Sequence, residues 1–154
     1  MAAHARQKLT TFLAFKEAAE EAVELYTSLF DDSEVVRVIR AGADETGWKE
    51  GTLQHAVFTL AGQAFMCINM PRPPARGHDH APWDSYAFTP ATAVYVQCDS
   101  AAEFDRVFTA LAEGGEVIMP IGTYGFSAKF AWVNDRFGVS WRINLSESAP
   151  NGRA

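Results

Sequence analysis

The sequence predicts an α+β fold made of two βαβββ modules, and three observations predict it. One strand, helix and three further strands can be read twice along the chain. Residues 11–35 lie on residues 93–117 without a gap, with Ala19/Ala101, Glu21/Glu103, Thr27/Thr109, Leu29/Leu111, Glu34/Glu116 and Val35/Val117 identical. The closing strands align too, Cys67-Ile68-Asn69-Met70 on Arg142-Ile143-Asn144-Leu145. One helix per sheet means that each sheet buries one face and leaves the other for a counterpart or a cavity.

The first module spans 8–70. Lys8–Phe15 is a short apolar strand. Glu17–Phe30 carries Ala19, Ala22, Val23, Tyr26, Leu29 and Phe30 on one helical face, and Glu17, Glu20 and Glu21 sit where the helix dipole favours acids. Asp31-Asp32-Ser33 stops the helix. Glu34–Arg40 is a β-branched strand, and 41–51 a polar loop holding Trp48. Thr52–Leu60 and Gln63–Met70 form a hairpin about Ala61-Gly62.

Residues 71–90 break the pattern with five prolines, His78-Asp79-His80 and Trp83, and read as a connection.

The second module spans 91–146. Ala91–Cys98 is a strand. Ser100–Glu113 is a helix opened by a capping box, Ser100 with Glu103, and stopped by Gly114-Gly115. Its apolar stripe is Phe104, Val107, Phe108 and Leu111. Glu116–Ile121 is a strand and Gly122–Phe126 a loop. Ser127–Asn134 and Val139–Leu145 close the module around a turn at Asn134–Gly138, where Gly138 can take φ > 0. After that turn Val139, Trp141, Ile143 and Leu145 point one way, and Ser140, Arg142 and Asn144 the other.

A length of 154 residues fits one domain with a sizeable core, and 48% hydrophobic with 21% charged residues is ordinary for a globular protein. A net charge of −6 excludes a general binder of nucleic-acid backbones. Cys67 and Cys98 have no CxxC or Cys/His spacing and are expected to be reduced thiols in a cytoplasmic protein. No run is long enough to span a membrane, and the first residues lack a signal-peptide core.

Three stretches carry a family resemblance: TFLAFKEAAEEAVELYTSLF, FTPATAVYVQCDSAAEFDRVFTALAEGGEVIMP and KFAWVNDRFGVSWRINL. With the duplicated βαβββ order, the chain resembles the vicinal oxygen chelate superfamily of glyoxalases, extradiol dioxygenases and bleomycin-resistance proteins. Within it, the chain is similar to the PhnB-like branch, which is labelled 3-demethylubiquinone methyltransferase-like. The resemblance covers residues 8–146 and implies sheets enclosing a cavity and assembly as a homodimer. No glycine-rich loop of the kind that binds S-adenosylmethionine follows a strand.

In catalytic members of that superfamily, four inward positions hold a divalent metal. By strand position they fall on Thr11 (or Thr10), Cys67, Ala93 and Arg142. Such a site needs imidazole and carboxylate ligands, and these positions offer neither, so no metal and no cofactor is expected. What the resemblance leaves is a binding wall. It comprises Arg142 with Ser140 and Asn144, Cys67 and Asn69 on the facing half, and Thr11, Leu13, Ala93, Tyr95 and Gln97 nearby.

Arg142 calls for either an anionic ligand or a carboxylate of the protein. His55, on an alternating strand, is a general base or a hydrogen-bonded face residue. Cys67 is a nucleophile or a small core residue, and His78-Asp79-His80 a metal clip or solvated loop. Trp48, Trp83, Tyr124 and Phe126 cover a pocket or a contact, and Lys129 assists an anion or faces solvent. The expected function is metal-free binding of a small, anionic molecule. The alternative is a glyoxalase-like or lyase-like enzyme with noncanonical residues.

Overall fold

The computed structural model describes residues 7–71 and 87–146. They form two compact units divided between residues 86 and 87. In the first, β1 (Thr11–Phe15) leads into α1 (Ala19–Leu29), then β2 (Glu34–Arg40), β3 (Leu53–Leu60) and β4 (Gln63–Asn69). In the second, β5 (Val94–Cys98) leads into α2 (Ala101–Ala112), β6 (Glu116–Tyr124), β7 (Ser127–Asn134) and β8 (Ser140–Leu145). The sheets run β1-β4-β3-β2 and β5-β8-β7-β6, with the first and last strands of each module paired in parallel. This is the α+β, twice-βαβββ architecture that the sequence predicts. Among the described residues, no helix is long and apolar enough to cross a membrane.

Each helix covers one face of its own sheet. In the first unit Ala22, Val23, Tyr26 and Leu29 of α1 are buried, as are Leu13, Phe15, Ala56, Phe58, Phe65 and Cys67 of the sheet. In the second, Phe104, Val107 and Leu111 of α2 are buried with Val96, Cys98, Ala131, Val133, Trp141 and Ile143. Both stripes match the helical periodicity of the sequence. The capping box is present: Ser100 Oγ accepts from the Glu103 N–H at 3.1 Å, and Glu103 Oε2 accepts from the Asp99 N–H at 2.9 Å.

The last hairpin turns as its residues require. Gly138 has φ +91°, and its N–H donates to Asp135 O at 2.9 Å. The Asp135 carboxylate, nearly fully buried, accepts from the N–H groups of Phe137 and Val139 and from Trp141 Nε1. Gly115 cannot carry a side chain, because a Cβ there would lie 2.1 Å from Asn134 O.

Some boundaries differ from expectation. Lys8–Thr10 and Ala91–Ala93 stand outside their strands. β6 continues to Tyr124, where a loop at 122–126 is expected; its ladder with β7 is broken by register shifts, so apolar and polar positions lose strict alternation.

The larger correction concerns phase. In the first unit Met70 N–H donates to Phe15 O at 2.7 Å; in the second Ser146 N–H makes the same bond to Cys98 O at 2.8 Å. Phe15 therefore corresponds to Cys98, and Met70 to Ser146. The ungapped alignment sets the helices correctly and the strands one residue out of step. Three residues, 16–18, separate β1 from α1, whereas two, Asp99 and Ser100, separate β5 from α2. A one-residue slip in a strand moves every side chain to the other face.

Candidate functional site

The faces turned away from the helices follow from the pairing registers. In the second unit Tyr95 lies opposite Arg142, Gln97 opposite Asn144, Arg142 opposite Trp132, and Asn134 opposite Ser140. Arg142 and Tyr95 are exposed, Tyr95 to 56%. The counterparts in the first unit are Phe12 opposite Met66, Ala14 opposite Ile68, and Met66 opposite Val57. The open face of the first module is thus apolar along β1 and β4, with His55 and Thr59 on β3 and Arg37 and Glu34 on β2 toward its other edge. That of the second is polar and carries a cation.

The second open face is tightly organised. The Arg142 guanidinium lies 4.0 Å from the centre of the Trp132 ring. Trp132 Nε1 donates to Ser140 Oγ at 2.7 Å, which fixes the indole beneath it. Asn144 Nδ2 donates to Gln97 Oε1 at 3.1 Å, Gln97 Nε2 donates to Ser146 Oγ at 2.6 Å, and the Ser127 hydroxyl donates to Asn144 Oδ1. These amides satisfy one another. Arg142, by contrast, meets no carboxylate within 4 Å among the described residues. Its five N–H donors are left with the π-face below and open space beside them.

Of the residues singled out from sequence, Arg142, Asn144 and Tyr95 come together on this face. His55 lies on the open face of the first unit, opposite Ile68, its ring 6.1 Å from that of Phe12. His55 Nδ1 is buried and has no hydrogen-bond partner among the described residues. Cys67 and Asn69 are not on an open face, contrary to expectation. Both point toward α1, because the strand phase differs by one residue. Cys67 is fully buried between Leu13 and Ala56 in the register, and burial pushes its thiol up to about 12, which removes it as a nucleophile at neutral pH. Asn69 Oδ1 accepts from the N–H of Ala19, the first residue of α1. Thr11 shares that parity, at the exposed start of β1. Lys129 points to the helix side, pairing with Asp105 at 2.9 Å and lying over the Phe104 ring. The pair His78 and His80, with Trp83, lies outside the described residues.

The metal of the superfamily can be tested against these positions. On the open faces, the first and last strands of the modules present Phe12, Ala14, Met66 and Ile68, then Tyr95, Gln97, Arg142 and Asn144. The phase correction changes which residues stand there but brings in no imidazole and no carboxylate. That donor set does not fit a Zn, Ni, Fe or Mn centre. Among the described residues, no group of three or more His, Cys, Asp or Glu side chains could hold a metal ion.

The sequence assigns Trp132 no role, because the cross-strand register that sets it under Arg142 is not written locally.

A family model described as 3-demethylubiquinone-9 3-methyltransferase matches residues 7–144. Among solved structures, a PhnB protein from Bacillus cereus is 48% identical, with 91% of this chain and 100% of that chain covered and a TM-score of 0.78. The protein PA1353 from Pseudomonas aeruginosa is 27% identical, covering 91% and 98%, with a TM-score of 0.69. A glyoxalase/bleomycin resistance protein from Albidiferax ferrireducens is 11% identical over 92% and 100%, with a TM-score of 0.53, a likeness of fold alone. No curated protein matches the sequence.

Proposed function

The chain belongs to the PhnB-like family described as 3-demethylubiquinone-9 3-methyltransferase, within the glyoxalase/bleomycin resistance superfamily, and from that premise we propose that it binds a small anionic molecule without a transition metal. The observation that carries this reading is Arg142. Its guanidinium lies 4.0 Å over the Trp132 ring, with no carboxylate of the protein to neutralise it among the described residues. An arginine so placed presents a planar fork of donors, the shape that a carboxylate or phosphate takes up with two parallel hydrogen bonds. The neighbouring amides are engaged with each other, so the anion is read by charge at Arg142, with Tyr95 beside it. The homodimer and the cytoplasmic location are part of the same proposal.

Methyl transfer is the reading that the family description suggests. The strand-to-helix turns, 16–18 and 99–100, contain no glycine, and neither sheet is the doubly wound parallel type that holds a nucleotide-like cofactor. A second reading, a glyoxalase-like or lyase-like enzyme, is favoured by His55. Its imidazole lies on the open face of the first unit, and its Nδ1 meets no hydrogen-bond partner among the described residues.

The test uses protein purified untagged and without chelators. Elemental analysis measures transition metals, and denaturation followed by mass spectrometry identifies small acids released. The expected result is no stoichiometric metal, and an anion released by the wild type that Arg142→Ala does not carry. A stoichiometric metal, or an anion retained equally by Arg142→Ala, overturns the proposal.

A further inference from the structure

Phe130 lies opposite Asn144, two residues before Trp132 on β7. Lys129 points to the helix, over the Phe104 ring, so Phe130 points to the open face of the second unit. A side chain there would meet solvent, but Phe130 is 2% exposed. The turn between β6 and β7 covers it. The Phe126 ring meets Phe130 edge-on at 4.9 Å, the Tyr124 ring does so at 5.9 Å, and those two rings stack at 5.8 Å. Three rings thus form one cluster at the end of the open face. Tyr124 OH donates to Pro120 O at 2.8 Å and Thr123 Oγ1 to Ala128 O at 3.0 Å, which hold the turn in place.

Phe126 covers Phe130 and is itself 68% exposed. With Tyr124, Thr123, Ser127 and Asn144 it lines a cleft of about 450 Å³, the size of a small-molecule site. Asn144 joins this cleft to Arg142. The two stand on one face of β8, two residues and about 7 Å apart along the strand. The polar side chains of the cleft are engaged within the chain. Thr123 and Tyr124 give their hydroxyl protons to backbone carbonyls, and the Asn144 amide is held between Ser127 and Gln97. The open face therefore offers a ligand one fixed cation and, a short arm away, an exposed aromatic wall. An inorganic anion or a short aliphatic acid uses the cation alone.

We infer that the anion read by Arg142 is an aromatic acid, with its carboxylate on Arg142 and its ring, carried on a short chain, in the cleft against Phe126. This rests on the reading of Arg142 given above and names the ligand class of that site. Phe126 is then the residue that selects an aromatic acid over a smaller one.

The probes are 3-phenylpropanoate and acetate, which share a carboxylate and differ in the ring and its chain. Each is titrated into ¹⁵N-labelled protein. The signals followed are the Arg142 Nε–H, the Asn144 side-chain amide and the backbone amides of 126–128. Phenylpropanoate is expected to shift all of them and to bind about tenfold or more tighter than acetate. Phe126→Leu keeps an apolar cover over Phe130 and removes the ring. It should cut that advantage several-fold and leave acetate unchanged, while Arg142→Gln weakens both acids. Phenylpropanoate bound no tighter than acetate, or bound equally by wild type and Phe126→Leu, would overturn the inference. Weakened acetate binding by Arg142→Gln in the same titrations would leave the reading of Arg142 standing. Both acids bound as well by Arg142→Gln as by wild type would overturn that reading and the inference with it.

Discussion

Asn69 Oδ1 accepts a 2.9 Å hydrogen bond from the backbone N–H of Ala19, so the last residue of β4 caps a helix fifty positions away. The residue before the helix, Ala18, offers no side-chain acceptor. The same Asn69 donates through Nδ2 to Leu53 O at 2.8 Å, and its own carbonyl takes the indole N–H of Trp48. One amide thus joins the start of α1 to the start of β3. In the second unit the cap is local, at Ser100, and the position equivalent to Asn69 is Leu145. Asn69→Leu leaves a buried donor and a buried acceptor unpaired and should cost about 2–4 kcal/mol. Ser100→Ala, at an exposed cap, should cost about 1 kcal/mol. Urea unfolding of both variants checks the order: equal losses would mean that Asn69 does not act as the cap.

The difference between these caps marks what could be read from the sequence. Ser100 and Glu103 are three residues apart, and a capping box is a local pattern. Asn69 looks like any polar residue at a strand end, because the helix it serves is remote. The repeat itself was legible, as were both buried helical stripes and the open-face position of Arg142. The phase of the first module was not. Helix identities such as Ala19/Ala101 fix the ungapped match, while the extra residue between Phe15 and Ala19 shifts β1 beneath it. Cys67 and Asn69 therefore looked like wall residues and are core residues.

Asp135 should be the most sensitive polar residue of the second unit. Its Oδ1 accepts from the N–H groups of Phe137 and Val139 at 2.9 and 3.0 Å, and its Oδ2 from Trp141 Nε1 at 2.9 Å. Both oxygens face donors, so even the isosteric Asp135→Asn must turn an NH₂ toward an N–H. A loss of about 2–4 kcal/mol is expected from Asp135→Asn in denaturant unfolding. A loss under about 0.5 kcal/mol would show that the turn is held by Gly138 and the strand ladder instead.

The two thiols should be inert while the protein is folded. Burial raises Cys67 to about 12; burial, then Glu103 and Asp99, raises Cys98 to about 12 against the opposing effect of Arg106. At about pH 8 such a thiol is roughly one part in ten thousand thiolate. Iodoacetamide is therefore expected to label neither cysteine in native protein and both in urea. Rapid labelling of either in the native state would contradict the burial described here.

Glu20 and Arg40 tie α1 to the end of β2 across a 2.5 Å ion pair at the surface. The hydrogen bond from Arg40 holds the Glu20 carboxyl below its ordinary value. A carboxyl with a lowered folded pKa adds stability that is present above its unfolded pKa and lost as pH falls through the folded value. The advantage of wild type over Glu20→Gln should therefore hold near neutral pH, begin to fall below the ordinary carboxylate value and vanish once the pH has passed through the lowered folded value. Because the pair is exposed, the difference should be small and should shrink further in high salt. Unfolding midpoints of the two proteins at several pH values measure it, and a gap that widens in acid would reverse the argument.

Arg142 separates binding from stability more cleanly than any other residue on the open faces. It is exposed, so removing it empties no core, and its contact with Trp132 is worth about 0.5–1 kcal/mol at such a site. Arg142→Gln should thus leave the unfolding midpoint nearly unchanged while abolishing retention of the anion carried by the native protein. Arg142→Lys keeps the charge but loses the planar fork and its stacking, so it should retain the anion weakly. Trp132→Leu removes the platform and frees the Ser140 hydroxyl from its partner. It should weaken retention with the Arg142 charge still in place. This graded order, wild type above Lys and Leu variants above Gln, is what a stacked, bidentate arginine produces. Equal retention by Arg142→Lys and wild type would mean that charge alone is read, and that the Trp132 stack serves only to hold the side chain.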